Sequence, residues 1–215
     1  ELEDGIAPKD KSEARRKALA LFETPQADDG VERIVRINSV RERFGIEDLS
    51  AILASKCPPP AIMMPKVRTA DEVILVDQLL SEAQHLTRIH VIIETNEGLE
   101  SAHEIASSSA RIDALFFGAI DMAPELRCDL SWESLLYARS RVVHAAASAG
   151  LDVIDVPHLD LDDMEGMRIA AERARALGFA GKGSIHPKQI PILNEVFTPS
   201  PEKIARARHV IAEFE

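Results

Sequence analysis

The sequence predicts an α/β protein built on a parallel sheet, a TIM (β/α)₈ barrel, and three observations carry that prediction. Apolar strand-like runs alternate with amphipathic helical stretches along the whole chain. Seven strand ends, near Asp4, Ile37, Pro65, Glu94, Asp121, Asp155 and Ser184, recur mostly about 30 residues apart, the size of a strand–helix–strand repeat. Acids and bases sit at those ends beside Gly, Asn or Pro, where such folds place chemistry rather than packing. A closed barrel needs eight strands. Because the chain opens on what looks like a strand end, the first strand and part of the second are expected upstream of residue 1. Residues 1–215 then read as a single barrel domain, incomplete at both ends. An open doubly wound sheet is the alternative. No GxGxxG follows the first strand and no GxxxxGK[ST] occurs anywhere, which weakens its nucleotide-binding form.

Taken in order, Leu2-Glu3-Asp4-Gly5 is the first strand end, and Pro8 to Asp10 suit the start of a helix running through KSEARRKALALFE. VERIVRINS (31–39) is a strand, apolar at Ile34, Val35 and Ile37, closing on Arg36 and Asn38. A short helix around Ile46 to Ser55 stops at Pro58-Pro59-Pro60. AIMMPKV (61–67) is a buried strand ending at Pro65 and Lys66, and Thr69 and Asp71 are candidate caps for the helix TADEVILVDQLLSEAQ. RIHVIIE is the next strand, NEGLESAHEIASSS one amphipathic helix, and RIDALFFGAID the strand after it. Trp132 to Ala149 is a helix ended by Gly150, and LDVIDVPH (151–158) a strand. Asp160 to Leu177 is a helix ended by Gly178, FAGKGSIHP (179–187) the last strand and its loop, and Pro187 opens a short helix. Thr198-Pro199-Ser200-Pro201 breaks the chain before a final helix, Glu202 to Phe214.

Composition narrows the function classes. A formal net charge of −11 opposes nucleic acid and anionic membranes as main partners, since phosphate binding needs a basic surface. A small anionic ligand needs only a local cluster of positive groups. The two cysteines, Cys57 and Cys128, make no metal pattern and leave a reduced, cytoplasmic setting as the expectation. No apolar run approaches the length of a membrane span, and the N-terminus is charged rather than signal-like.

The chemistry concentrates between Arg88 and Asp121. Two apolar runs, His90 to Ile93 and Ala114 to Phe117, lead to carboxylates at Glu94 and Asp121. In parallel neighbouring strands both acids emerge at the same end of the sheet, and two acids without a His or Cys partner suited to zinc fit a hard cation such as Mg²⁺. Each residue also has a plainer reading. Arg36 pairs with Glu3 or Asp4, Glu94 caps the helix after it, and Asp121 caps a turn before Pro124. Lys66 reads as a supporting charge. His186, Asp155 and His158 read as structural, and the acids at 160–163 as a helix N-terminus.

The runs LEDGIAPKDKSEAR, VRIN, MMPK, IIETNEGL, FFGAID, GKGSIHPKQI and FTPSPEKIARA occur in the order found in the citrate lyase beta-subunit and malyl-CoA lyase (HpcH/HpaI aldolase) family, which the chain resembles over essentially all of 1–215. The resemblance implies a TIM barrel, a Mg²⁺ ion, and carbon–carbon cleavage of a 3-hydroxyacyl thioester into an acetyl thioester and a 2-oxo acid. Citramalyl-CoA and malyl-CoA rank above a citryl thioester on a carrier protein. Carried over, Arg36 faces the reacting carbonyl and Glu94 and Asp121 hold Mg²⁺. The backbone of Gly118 and Ala119 approaches the 2-oxo-acid carboxylate, and Glu3 and Asp4 support the Arg or the metal waters. A homo-oligomer, trimer or hexamer, is also implied. The chain departs from the family at its ends, with no first strand and no lid segment after the last helix. Two other functions fit the residues: a metal-dependent aldolase acting on free 2-oxo acids, and a non-catalytic subunit that binds a 2-oxo acid.

Overall fold

The computed structural model describes residues 1–24 and 29–214. They form two compact units, Glu1–Val153 and Ile154–Glu215. Both are made of the parallel strand–helix repeats that define the expected α/β class.

In the first unit, β1 (Ile34–Arg36), β2 (Ala61–Met64), β3 (Arg88–Ile93) and β4 (Ile112–Phe117) are parallel neighbours in chain order. Their sequences are near-continuous apolar runs because parallel strands are covered on both faces. Every β3 residue from Ile89 to Ile93 is buried. Ile89, Val91 and Ile93 share one face, while His90, Ile92 and Glu94 share the other. Helices α1 (Lys11–Ala20), α2 (Arg43–Leu53), α3 (Ala70–Glu82), α4 (Asn96–Glu100), α5 (Ala102–Ala106), α6 (Ala119–Leu126) and α7 (Trp132–Ala149) occupy the connections. Thr69 starts α3 through a capping box with Glu72. Ser131 opens α7, accepting from the Ser134 N–H, and Gly150 closes it at φ +70°.

The N-terminal residues are tied down by a polar network. The Leu2 N–H donates to the Arg36 carbonyl at 2.9 Å, continuing the pattern of a strand end beside β1. The buried Lys11 ammonium donates to the Leu2 and Glu3 carbonyls, each at 2.9 Å, and to Asn38 Oδ1. Asn38 in turn donates to Asp48 Oδ2 at 2.6 Å, and Arg15 Nε to Asp48 Oδ1 at the same length. Asp48 is wholly buried, so these partners are what make its charge tolerable.

Several boundaries in the first unit differ from the sequence reading. The helix expected over NEGLESAHEIASSS is two short ones, broken at Ser101 with ψ 7°, in a stretch where Gly98, Ser101 and His103 all have weak helix propensity. Asp121 does not end a strand. β4 stops at Phe117, and Asp121 lies in the first turn of α6. α2 starts at Arg43, ahead of Ile46, because Gly45 lets the helix press against the loop before it.

The second unit contains residues 154–155 of β5 (Asp152–Asp155), then α8 (Met164–Leu177), β6 (Gly181–Lys182), α9 (Ile190–Phe197) and α10 (Pro201–Phe214). β5 and β6 are parallel, pairing Ile154 with Gly181 and Asp155 with Lys182. Their end is pinned by Lys182 Nζ on Asp155 Oδ2 at 2.5 Å, with both side chains buried. Met167, Ala171, Leu193 and Val196 form the α8–α9 core. α8 begins at Met164 rather than Asp160, because Asp160 Oδ1 accepts from the Asp162 and Asp163 N–H groups and makes a turn, leaving Asp163 as the cap. No helix among the described residues is long and apolar enough to cross a membrane.

A Cβ at Gly45 would lie 1.9 Å from the Ser39 carbonyl oxygen and 2.7 Å from that of Asn38. Both obstacles are backbone of the segment that carries the buried network. Gly45→Ala is expected to lower unfolding stability by about 2–3 kcal/mol, read as a lower urea midpoint at unchanged slope. An unchanged midpoint would show that the 38–39 backbone yields freely.

Candidate active site

Parallel strands bring their C-terminal ends to one edge, and the charged residues of the first unit gather there. Arg36 is the last residue of β1, Lys66 follows Pro65 just after β2, Glu94 follows β3, and Gly118 links β4 to α6. Asp121 stands three positions beyond Gly118. Glu3 and Asp4 arrive from the N-terminal segment that Lys11 holds beside β1.

Glu94 is the buried member, 6% exposed. Its Oε1 accepts the Lys66 N–H at 2.9 Å. To offer that N–H, Lys66 adopts the left-handed conformation at φ +54°, which costs a non-glycine residue about 1 kcal/mol. The space beside Glu94 exists because residue 118 is glycine: a Cβ there would meet Glu94 Oε2 at 2.3 Å and Glu94 Cβ at 2.6 Å. Burial first, and then the charge of Asp121, push the Glu94 carboxyl up to about 8.

The Lys66 ammonium collects the other acids. It lies 2.6 Å from Glu3 Oε1, 3.3 Å from Asp4 Oδ1 and 3.7 Å from Asp121 Oδ2. Burial opposes its charge, but Glu3, Asp4 and Asp121 outweigh that and raise its pKa. Arg36 is held by Glu1, from Nε to Oε2 at 2.7 Å, and by Glu3 at 3.2 Å. Burial works against the guanidinium too, and Glu1, Glu3 and the charge of Glu94 together raise its pKa. For Asp4, desolvation opposes ionisation, and Lys66 overrides it and lowers the pKa.

A cavity of about 310 Å³ opens over this edge, lined by Lys66, Arg68, Glu94, Thr95 and Asp121 with Pro124 and Glu125. It joins Glu94 and Asp121, whereas Arg36 is not among its lining residues. Of the two amides expected to face a carboxylate, the Gly118 N–H donates to the Ile93 carbonyl at 3.1 Å. The remaining donors are the first-turn N–H groups of α6, at Ala119 and Ile120, which have no partner within the helix. Glu1 and the full reach of Lys66 are what sequence reasoning missed. MMPK was a signal for Lys66; nothing in the sequence marked Glu1.

The donor set fits a hard divalent cation. Glu94 and Asp121 are oxygen ligands on one cavity, Glu94 is forced toward protonation in part by the Asp121 charge, and a lysine ammonium already stands among the acids. Glu94 also carries a stability consequence. A carboxyl raised from 4.5 to about 8 on folding favours the folded state below pH 4.5, and that contribution is lost as pH rises through 8. Glu94→Gln, which keeps the acceptor for the Lys66 N–H, is therefore expected to melt higher than the parent protein at pH 8 without divalent ions. The gain should reach up to a few kcal/mol and vanish near pH 4. A gain independent of pH would show that Glu94 does not titrate in this range.

Comparison with known proteins places the chain in a family. The family model "HpcH/HpaI aldolase/citrate lyase" matches residues 1–187. Human mitochondrial citramalyl-CoA lyase is 33% identical over 99% of this chain and 67% of its own length. The crystal structure of RipC from Yersinia pestis superposes with a TM-score of 0.86 at 36% identity, covering 94% of this chain and 89% of the other. The citrate lyase beta subunit of Mycobacterium tuberculosis, solved with oxaloacetate and magnesium, superposes with a TM-score of 0.75 at 30% identity, covering 92% and 85%. By that family match and these relatives, the chain belongs to the HpcH/HpaI aldolase/citrate lyase family as a citrate lyase beta-subunit-like lyase.

Proposed function

We propose that the chain is a Mg²⁺-dependent lyase that cleaves a 3-hydroxyacyl thioester, of the citramalyl-CoA or malyl-CoA type, into an acetyl thioester and a 2-oxo acid. The observation that carries the reading is the pairing of buried Glu94 with Asp121 on one cavity at the strand ends. A citramalyl-CoA lyase and a magnesium- and oxaloacetate-bound relative support it. In this reading the partners are a CoA- or carrier-protein-linked thioester and a 2-oxo acid, the chain works as a cytoplasmic homo-oligomer, and residues 1–215 belong to a single barrel domain.

Glu94 and Asp121 would hold Mg²⁺, which when bound supplies Lewis-acid polarisation of a substrate oxygen. Cleavage beta to a thioester leaves negative charge on the thioester oxygen. Arg36 answers that charge with a permanently protonated guanidinium. Glu1 and Glu3 grip two edges of its fork and fix its plane. Lys66 keeps Glu3, Asp4 and Asp121 from repelling one another apart, and its N–H orients Glu94. The N-terminal turn of α6 offers N–H groups and the positive end of its dipole to a substrate carboxylate.

Calorimetry of pyruvate, glyoxylate and oxaloacetate, each with and without Mg²⁺, tests the site before turnover is assayed. Mg²⁺-dependent binding of one oxo acid, lost in Asp121→Asn, is the expected result. Binding of none would remove the assignment. Arg36→Lys should keep the charge and the fold but lower kcat roughly a hundredfold or more, since a lysine loses the fork. Parent-like turnover would leave Arg36 a purely structural partner of Glu1 and Glu3.

A further inference from the structure

The other end of β3 carries a second polar cluster that the proposed reaction does not use. His90 is 6% exposed, and neither ring nitrogen has a hydrogen-bond partner, although both are buried. Its ring stacks on Phe116 at 5.6 Å, which satisfies the carbon face and neither nitrogen. A buried imidazole whose Nδ1 faces no partner and whose Nε2 has only a carboxylate at 3.4 Å is an exception that calls for a ligand. The ring points at carboxylates: Nε2 lies 3.4 Å from Glu32 Oε2, and donor atoms of Glu32, His90 and Asp113 all fall within 4.8 Å of one another.

The backbone is shaped to bring Asp113 there. Ile89 pairs with Ile112 but His90 pairs with Ala114, so Asp113 is the extra residue of a bulge in β4. Bulges re-aim side chains in this way. Arg88 occupies the position of a counter-ion, donating to Glu32 and, from Nε, to Asp113 at 2.7 Å. Its side chain is 49% exposed, so an ion that displaced it would send the guanidinium into solvent.

We propose that Glu32, His90 and Asp113 form a second metal site, for a borderline divalent ion of the Zn²⁺ class, in which Arg88 is the resident cation when metal is absent. One imidazole and two carboxylates make a mixed nitrogen–oxygen set, which suits zinc, cobalt or nickel rather than magnesium. Ligand atoms around tetrahedral zinc lie about 3.3 Å apart, so the site closes by small movements of two partly exposed carboxylates. His90 and Glu94 share a strand face four residues apart, about 13 Å, so this ion sits away from the strand-end acids. Its work is structural: it clasps the segment before β1 to the β3–β4 pair.

The test is titration of the full chain with Co²⁺ and Zn²⁺ in saturating Mg²⁺, read by the visible absorption of cobalt and by calorimetry. The expected result is one tight Co²⁺, intensely coloured as four-coordinate cobalt with a nitrogen ligand is, and displaced by Zn²⁺. Glu32→Gln and Asp113→Asn, both at partly exposed positions, should each weaken it roughly tenfold or more, and His90→Gln should abolish the colour. No binding beyond the Mg²⁺-blocked site, or binding unchanged in Glu32→Gln and Asp113→Asn, would overturn the proposal. If His90→Gln fails to fold, the other two variants decide.

Discussion

The strand-end edge of the first unit depends on one constraint, the burial of the Glu94 carboxylate. A charge taken out of water needs donors or a cation close by, and the protein's own groups meet that need only in part. Lys66 twists into the left-handed region to point an N–H at Glu94, Gly118 withholds a side chain, and Asp121 turns in from α6 to share the same cavity. None of these is favourable alone. Together they form a site whose charge balance is poor until a cation enters, which is how a binding site stores affinity.

The same strand shows how a parallel repeat separates chemistries along its length. One face of β3 carries His90, Ile92 and Glu94 in succession, so an apolar residue insulates two polar ends from each other. At one end the groups are all oxygen donors around Lys66; at the other an imidazole stands between two carboxylates and an arginine. Lysine at the first and arginine at the second are each held by acids from separate elements. The cations therefore do structural work at both ends, stitching the start of the chain to β2 and the segment before β1 to β3 and β4.

Much of this was legible in the sequence, for reasons that can be named. β3 could be read because a doubly covered parallel strand runs nearly continuously apolar, and α7 because Gly150 supplies its stop. Arg36, Lys66, Glu94 and Asp121 were legible because strand ends are where a repeat of this size leaves its polar residues. Other features turn on register or on distant partners. Asp121 looked like a strand end because β4 runs straight into α6 with only Gly118 between them. The bulge at Asp113 leaves no mark in a run that alternates acceptably without it. The grip of Glu1 on Arg36 joins residues 35 positions apart, and no local pattern encodes it. His90 reads as strand filler until its buried nitrogens are seen to make no well-formed hydrogen bond.

The close approach at Gly118 has an evolutionary corollary. With Glu94 Oε2 only 2.3 Å from where a Cβ would stand, positions 94 and 118 are not independently variable. Shortening or turning 94 removes the clash with Oε2 but leaves its Cβ 2.6 Å from the same point, so a side chain at 118 also needs the backbone to move. Descendants of such a chain can lose the acid while keeping the glycine, whereas losing the glycine demands a shift of the strand ends themselves. The order of loss is set as well, because the acid can go first without a clash and the glycine cannot.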